Sequence, residues 1–324
     1  TVHIAGSKGK GSTGAIAEAI AGAAGKRTGY YISPHLHRYN ERVRIDGKPC
    51  ARESFASAMT AVREAIDAVA PEFPGRQFLA FDALTAAAFV AFREAEVDVQ
   101  IVEVGLGGTL DSTNVFDATD VVIVTPISLE HTALLGDTIP QIASQKAGII
   151  TKGDVVVVAP QRESALDVIH TAATEKDARV IEVAIACHLT RTAASGDAQD
   201  FKIQTPDATY AARLPLLGRH QLDNAATAIV ACEELQRRFG ATLPPEAVRE
   251  GLAAVAATLV ATSLIPLLML PQAKRADPAF DAGFTACRTD QNQVFVKQRR
   301  HGFVFHGTLQ LPSSRANGWR VDDP

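Results

Sequence analysis

The stretch "HIAGSKGKGST", residues 3–13, places three glycines and two lysines between an apolar strand pattern and an alanine-rich helix pattern. Free backbone N–H groups at the positive end of a helix can hold a phosphate, and glycines let the backbone approach it closely. We expect Gly9, Gly11 and Ser12 to form such a loop and Lys10 to supply the positive charge. The pattern therefore predicts a binding site for a phosphate group.

The same glycines also fit the G-x-G-x-x-G spacing of dinucleotide-binding proteins, at Gly9, Gly11 and Gly14. A dinucleotide site expects an acidic residue at the end of the second strand, where it binds the ribose. Here the second strand pattern, "YYISP", ends in Ser33 and Pro34. The sequence therefore disfavours a nicotinamide enzyme.

The common phosphate-loop spacing, G-x-x-x-x-G-K-[ST], is not met either. Only two residues separate Gly6 from Gly9, and Gly11 stands where Ser or Thr is expected. A glycine turn that merely packs a helix on a sheet is the remaining alternative. It does not explain Lys8 and Lys10 at a helix start, where the helix dipole disfavours cations.

Strand patterns that alternate with helix patterns must position this loop. The strand patterns are mostly continuous β-branched runs, typical of parallel strands buried on both faces; they cover 1–5, 28–32, 98–104, 120–127, 154–160 and 178–183. Helical patterns lie between them, near 12–24, 53–69, 80–95, 138–147 and 163–175. This alternation predicts an α/β fold with a doubly wound, mostly parallel sheet.

The pattern changes after residue 184. The pieces "HLTRT", "FKIQT" and "TYAARLP" predict a small antiparallel appendage, and two helices are expected at 219–239 and 244–255. Residues 251–273 contain no charge and are long enough to span a membrane, but Pro266, Pro271 and several hydroxyl residues argue against a span. The remaining sequence has little periodicity and predicts no compact domain.

Composition limits the class of protein. The 324 residues suggest about two domains, and 47% hydrophobic with 21% charged residues is ordinary for a globular protein. A net charge of -4 argues against binding to nucleic acid or a membrane surface. The four cysteines form no C-x-x-C pair, and no signal-peptide pattern opens the sequence. We therefore expect a monomer in the reducing cytoplasm.

Several ordered blocks together carry a resemblance to a known family. They are "AGSKGKGST", "YYISPHLHRYNERVRIDGKP", "FDALTAAAF", "VEVGLGGTLDSTNV", "TPISLEHTALLGDTIPQIASQKAGII" and "LLGRHQLDNAATA". The sequence from residue 1 to about 255 resembles the folylpolyglutamate synthase/dihydrofolate synthase family of the Mur ligase superfamily. The resemblance implies a Mur-ligase-like ATP-binding central domain over residues 1–255.

The resemblance also implies an activity, ATP-dependent ligation of L-glutamate to folate or dihydropteroate. In such enzymes the γ-phosphate of ATP activates a carboxylate as an acyl phosphate, which the glutamate amino group attacks. The expected cofactors are ATP and Mg²⁺. Phosphoryl transfer depends on positioning and charge neutralisation, which suits lysines and oxygen ligands at the strand ends of an open α/β sheet.

The family's site residues map onto this sequence. Gly9, Lys10, Gly11 and Ser12 would surround the β- and γ-phosphates. Magnesium, a hard cation that prefers oxygen, would be held by two residues that follow strands, Ser33 and Glu103. His131 would help to hold a second metal. Alternatively, each of these three side chains is an ordinary solvated loop residue.

Three further residues match family positions. Lys146 in "SQKAGII" matches a lysine that is carbamylated in the family and supports the second magnesium; otherwise it is a lysine at a helix C-terminus. His220 and Asn224 resemble the family's nucleotide-contacting helix, although an Asn near a helix start is equally a cap. Lys10, Glu103, His131 and Lys146 are thus the predicted catalytic set.

The loop "HLHRYNERVRIDGKP" concentrates three arginines, Arg38, Arg42 and Arg44, beside Tyr39. In the family this region lies near the pterin and glutamate substrates. Paired charges on an exposed hairpin are an equally good interpretation, so the sequence leaves both open.

The sequence departs from the family at specific positions. The family usually has Asn where Lys8 stands, Arg where Thr109 stands and Asp where Glu130 stands. These changes would lower activity without altering the fold, because they move or remove charge near the phosphates.

The sequence after residue 255 departs further. The family's W-P-G-R and D-G-A-H-N motifs are absent, and residues 256–324 are fewer than the ~100 residues of a typical domain. We interpret 256–324 as an aberrant remnant of the C-terminal ligase domain. This interpretation predicts weak nucleotide binding and glutamate ligation that is slow or absent.

Three functional hypotheses therefore stand: an active folate-type ligase, a catalytically impaired member that only binds nucleotide, and a different enzyme with a phosphate-binding loop. No N-K-x-D or D-x-x-G motif supports a GTPase.

Overall fold

An eight-stranded sheet forms the centre of the computed structural model, which describes residues 1–75, 77–259, 284–288, 293–300, 303–310 and 321–322. In chain order its strands are β1 (Val2–Ala5), β2 (Thr28–Tyr31), β3 (Val43–Ile45), β4 (Lys48–Pro49), β5 (Val99–Glu103), β6 (Val121–Val124), β7 (Val155–Val158) and β8 (Arg179–Glu182). Their spatial order is β4-β3-β2-β5-β1-β6-β7-β8. The six strands from β2 to β8 are parallel, and β3 and β4 extend one edge antiparallel.

Nine helices occur in the described part of the chain. They are α1 (Lys10–Ala23), α2 (Arg52–Val69), α3 (Ala80–Glu94), α4 (Thr132–Leu135), α5 (Ile139–Ala147), α6 (Glu163–Glu175), α7 (Val183–Ala186), α8 (Arg219–Arg238) and α9 (Pro245–Leu259). Two short 3₁₀ helices also occur: Tyr39–Arg42 lies between β2 and β3, and Ala70–Glu72 follows α2.

Alternate strand residues are buried against helices on opposite faces of the sheet. In β6, Val121 and Ile123 pack with α1, α8 and α9, whereas Val122 and Val124 pack with α5 and α6. Helices α2 and α3 cover the second face beside β2 and β5. Burial on both faces explains why these strands are continuous apolar runs, since neither face is left to solvent.

The strand order reverses at β1, which lies between β5 and β6. From β1 the chain first builds the side of the sheet that holds β2 and β5. It then crosses to the other side of β1, where β6, β7 and β8 follow. In register, Ile4 pairs with Glu103 and Ala5 pairs with Val124, so the three strands end at the same edge. Such a reversal opens a crevice at the carboxyl ends of the strands, where open α/β sheets bind ligands.

A three-stranded antiparallel sheet follows the parallel sheet in the chain: β9 (His188–Ser195), β10 (Ala198–Gln204) and β11 (Thr209–Leu214). Glu233 of α8 joins this sheet to the helices, because Thr205 and Tyr210 donate to its Oε1 atom over 2.6 and 2.8 Å. Four more strands form a separate antiparallel sheet: β12 (Phe284–Arg288), β13 (Gln293–Arg300), β14 (Phe303–Gln310) and β15 (Val321–Asp322).

The predicted fold class is confirmed, and each predicted strand and helix up to residue 259 has a counterpart shifted by four residues or fewer. Strands β3 and β4 form the hairpin that was one of two interpretations of their segment, and the sheet β12–β15 was not predicted. Most of the uncharged stretch 251–273 lies outside the described residues. Within the described ones, no helix has the length and apolar character needed to cross a membrane. The division into 1–255 and a remnant 256–324 stays a prediction.

Candidate active site

The predicted phosphate loop connects β1 to α1. Gly9 caps α1 with a φ of 89°, in the left-handed region that favours glycine. A Cβ atom on Gly9 would lie 2.5 Å from Oδ1 of Asn224, so a side chain has no room there. Lys10, Gly11 and Ser12 form the first turn of α1. The N–H groups of this turn have no partner within the helix and remain free for an anion.

Two lysines converge beneath this loop. Lys10 Nζ and Lys146 Nζ both donate to the carbonyl oxygen of Gly6, over 3.0 and 2.9 Å. Lys146, near the end of α5, is buried and forms an ion pair of 2.8 Å with Oε1 of Glu130. Burial lowers the pKa of Lys146, and Glu130 opposes that shift. The result is a concentration of positive charge at the carboxyl end of β1.

Glu103 is the last residue of β5 and lies on the other side of the loop. Its side chain is buried, and the Tyr30 hydroxyl lies 3.5 Å from its Oε2 atom. Burial raises the pKa of Glu103 to about 7, while Lys10 and the backbone N–H of Ser33 act in the opposite direction. The structure therefore brings Glu103 and Ser33 together beside the phosphate loop.

This donor set fits Mg²⁺ bound together with a nucleotide. Within the described residues, no group of three or more His, Cys, Asp and Glu side chains is placed to hold a metal ion. Mg²⁺ does not need one, since it usually takes one or two carboxylates, phosphate oxygens and several waters. The Glu103 carboxylate and the Ser33 hydroxyl are hard oxygen donors of this kind.

His131 begins α4 with a φ of 45° and an exposed side chain. It lines a small cavity of about 30 Å³ together with Lys10, Glu130, Lys146 and the backbone of Gly105–Gly107. As an amine, Lys146 donates to Gly6 and Glu130 and has no lone pair for a metal. Its predicted role as a metal ligand requires the carbamate, and that role stays a prediction.

Asn224 and His220 lie in the first turns of α8. Asn224 is buried against Gly9, and its Nδ2 atom donates to Gln221. Gly218 occupies the cap position of this helix, so Asn224 is not a cap. His220 is exposed. The structure thus places Asn224 directly at the phosphate loop.

The three arginines of the loop after β2 have different environments. Arg44 is buried and forms an ion pair of 3.2 Å with Glu18 of α1, so it is part of the core. Arg42 Nε donates to Nδ1 of His35 over 2.9 Å, and the rings of His35 and Tyr39 are 4.5 Å apart. Arg38 is exposed. The exposed Arg38 and the part near His35 and Tyr39 remain a candidate substrate surface.

Sequence reasoning missed the loop that follows Glu103. Asp111 is buried and accepts from the N–H groups of Leu106 and Thr113, which folds residues 105–113 back on themselves. The signal was present in "GLGGTLDSTN", where glycines precede an Asp followed by hydroxyl residues. Thr109, where the family usually has Arg, donates to the carbonyl of Gln145 over 3.1 Å.

Comparison with known proteins agrees with this geometry. Residues 78–232 match the model of the Mur ligase middle domain. The chain is 36% identical over 252 residues to the dihydrofolate synthase/folylpolyglutamate synthase of Bacillus subtilis, covering 77% of this chain and 58% of the relative. It is 32% identical over 279 residues to the folylpolyglutamate synthase of Lacticaseibacillus casei, covering 85% and 65%.

Solved structures give the same result. A complex of folylpolyglutamate synthase with AMPPCP and folate has a TM-score of 0.75 at 32% identity, covering 78% of this chain and 62% of that one. Folylpolyglutamate synthase of Mycobacterium tuberculosis complexed with ADP and AMPPCP has a TM-score of 0.74 at 36% identity, covering 78% and 58%. The chain spans less than two thirds of the length of each of these relatives.

A phosphate loop at the reversal point of a doubly wound sheet, with a buried carboxylate beside it, defines a nucleotide-binding α/β protein of the phosphate-loop class. Residues 78–232 match the Mur ligase middle domain, and the chain is similar to members of the folylpolyglutamate synthase/dihydrofolate synthase group of the Mur ligase superfamily.

Proposed function

We propose that this protein is an ATP-dependent ligase that adds L-glutamate to folate, to dihydropteroate or to both. The observation that carries the proposal is the arrangement of Lys10, Lys146 and Glu103 around the start of α1. Lys10 is the cationic donor for phosphate, Glu103 is the buried carboxylate for a metal, and Lys146 would be a further metal ligand as its carbamate. The named activities of the relatives and their complexes with AMPPCP and folate support the same assignment.

In the proposed reaction, an oxygen of the acceptor carboxylate attacks the γ-phosphorus of ATP, and ADP leaves. The neutral amine of glutamate then attacks the acyl carbon, phosphate departs with the carboxylate oxygen, and the amine releases one proton to water as the amide forms. The loop N–H groups and Lys10 hold the phosphates in line, and they lie at the positive end of α1, where developing negative charge is stabilised.

Glu103 and Ser33 are the proposed holders of Mg²⁺, which neutralises phosphate charge when bound. We place His131 and Lys146 at a second metal, and His220 and Asn224 at the nucleotide. Asn224 is the better supported of these two, because it is buried against Gly9.

We also propose a monomer that acts in the cytoplasm on small molecules, without nucleic acid or membrane partners. The net charge of -4 and the free thiols of Cys50, Cys187 and Cys232 support this setting. Light scattering coupled to gel filtration tests the monomer directly.

The activity is tested by measuring ADP release with ATP and Mg²⁺ while the acceptor and glutamate are omitted in turn. A ligase releases ADP at the full rate only when both are present. Release that needs neither, or that needs a different acceptor, would support another enzyme with a phosphate-binding loop.

A chimeric protein distinguishes the hypothesis of an impaired family member from that of an active one. It joins residues 1–255 to a C-terminal region that carries W-P-G-R and D-G-A-H-N, the motifs that the family resemblance implies. Faster ligation by the chimera would support the interpretation of 256–324 as a remnant. Equal rates would mean that the present sequence supplies whatever these motifs provide.

A further inference from the structure

A histidine is completely buried in the central strand of the sheet. His3 of β1 has no exposed surface, and its ring makes an edge contact with Phe116 at 5.4 Å between centroids. Its Nε2 atom lies 3.0 Å from Oγ1 of Thr113. Its Nδ1 atom is buried and has no hydrogen-bond partner within the described residues. The flanking strand residues, Val2 and Ile4, are apolar.

The neighbouring hydrogen bonds fix which ring nitrogen carries the proton. Thr113 Oγ1 donates to Oδ1 of Asp111 over 2.6 Å. A hydroxyl has a single proton, so towards His3 the Thr113 oxygen acts as the acceptor. The imidazole therefore carries its proton on Nε2 and leaves Nδ1 as an unpaired acceptor. Burial lowers the pKa of His3 to about 3, which keeps the ring neutral.

These bonds connect His3 to the wall of the active site. Asp111 also accepts from the N–H of Leu106 over 2.8 Å, and Gly105–Gly107 line the small cavity with Lys10 and Lys146. A chain of hydrogen bonds thus runs from the middle of the sheet, through Thr113 and Asp111, to the loop that faces the phosphate loop.

Packing in the core alone does not explain this residue. A buried nitrogen without a partner costs free energy, and an apolar side chain at the same position would avoid that cost. The cost is offset only if the other nitrogen has a use that an apolar residue lacks.

We propose that His3 is a positioning residue, which as a neutral Nε2–H imidazole holds the 105–113 loop in place through Thr113 and Asp111. The effect on turnover rests on the proposed ligase function, because this loop walls the cavity beside Lys10. The effect on the loop itself does not depend on that function.

The first test measures the proton on the imidazole. In ¹⁵N-histidine-labelled protein, long-range ¹H–¹⁵N spectra distinguish the two neutral tautomers, and the spectrum of His3→Gln assigns His3 among the nine histidines. We expect the Nε2–H tautomer, unchanged from about pH 5 to about pH 8, where an ordinary histidine titrates. An Nδ1–H tautomer, or titration in this range, would overturn the proposal.

The second test compares matched variants. His3→Gln places an amide donor near the position of Nε2, whereas His3→Leu removes the donor. We expect His3→Leu to raise amide hydrogen exchange in 105–113 and to lower kcat by about tenfold or more with little change in the KM for ATP, since misplacement near the reacting atoms costs rate. His3→Gln should restore both. Equal loop exchange in the two variants overturns the proposal.

A second pair of variants covers the case in which His3→Leu does not fold. Thr113→Val removes the hydroxyl that links His3 to Asp111 at nearly constant volume, and Thr113→Ser keeps this hydroxyl. We expect faster amide hydrogen exchange in 105–113 for Thr113→Val than for Thr113→Ser. Equal exchange would overturn the proposed link from His3 through Thr113 to Asp111. If the unaltered protein does not ligate glutamate, the ligase function fails, while the tautomer and the exchange measurements still decide the role of His3.

Discussion

Lys10 and Lys146 share one acceptor, because both side-chain amines donate to the carbonyl oxygen of Gly6, over 3.0 and 2.9 Å. Glu130 forms an ion pair with Lys146, whereas the Lys10 amine interacts with the more distant carboxyl group of Glu103. A bound phosphate would compensate the charge of Lys10. We therefore expect an anion to stabilise this corner of the site.

Replacing Lys10 tests this explanation. Lys10→Ala should weaken the binding of AMPPCP by about 1.5–3 kcal/mol, the usual contribution of a hydrogen bond to a charged group. Lys152→Ala is the matched control, because Lys152 is exposed and lies outside the loop. Titration calorimetry on both variants measures the difference. Equal affinity in Lys10→Ala and the unaltered protein would contradict the assignment.

Glu103 should control the requirement for magnesium. Glu103→Gln keeps the shape of the side chain but removes the charge that a hard dication needs. We expect the apparent Mg²⁺ affinity, measured in the presence of AMPPCP, to fall by about tenfold or more. Glu233→Gln makes the same change at another buried glutamate, away from the loop. Identical titrations in the two variants would exclude Glu103 as the metal ligand.

Gly9→Ala separates backbone strain from steric conflict. A non-glycine residue with positive φ costs about 1–2 kcal/mol. At Gly9 the added Cβ atom would also displace the side chain of Asn224. Gly25 has a similar φ of 78° and nothing within 4 Å of its Cβ position, so Gly25→Ala reports strain alone. We expect both variants to lose stability in urea unfolding and only Gly9→Ala to lose nucleotide affinity.

Most of the parallel sheet was predictable, because strands buried on both faces leave long apolar runs such as "DVVVVAP". The hairpin β3–β4 was only one of two interpretations of its segment, because its strands are very short and Arg44 and Lys48 interrupt the apolar residues. The phosphate loop and Glu103 were predicted as site residues from local spacing and the family resemblance.

The connections across the site could not be predicted. The pair Glu130–Lys146 joins residues 16 positions apart, and its geometry depends on how α4 and α5 fold. His3 was passed over as part of an apolar strand, because nothing in "TVHIA" shows that Thr113 lies opposite it. Such contacts arise only from tertiary packing.

The buried carboxyl group of Glu233 should make the free energy of unfolding depend on pH. Burial raises its pKa above the usual value of 4.5, against the hydrogen bonds from Thr205 and Tyr210. At a pH between 4.5 and the higher pKa of the folded state, the native state binds more protons than the unfolded state. Stability therefore falls as the pH rises through this window. Glu233→Gln still accepts both hydrogen bonds but cannot ionise. Urea unfolding should show the unaltered protein losing stability relative to Glu233→Gln with rising pH, and a constant difference would refute this.

The central claim is that ATP activates the carboxylate of folate or dihydropteroate before glutamate attacks, at the site around Lys10. The most direct measurement uses an acceptor whose carboxylate carries ¹⁸O, with ATP, Mg²⁺ and glutamate, followed by mass spectrometry of the released phosphate. We expect one labelled oxygen in each phosphate released by the unaltered protein, and slower release of labelled phosphate by Lys10→Ala at the same ATP concentration. ATP turnover that releases only unlabelled phosphate would contradict the claim.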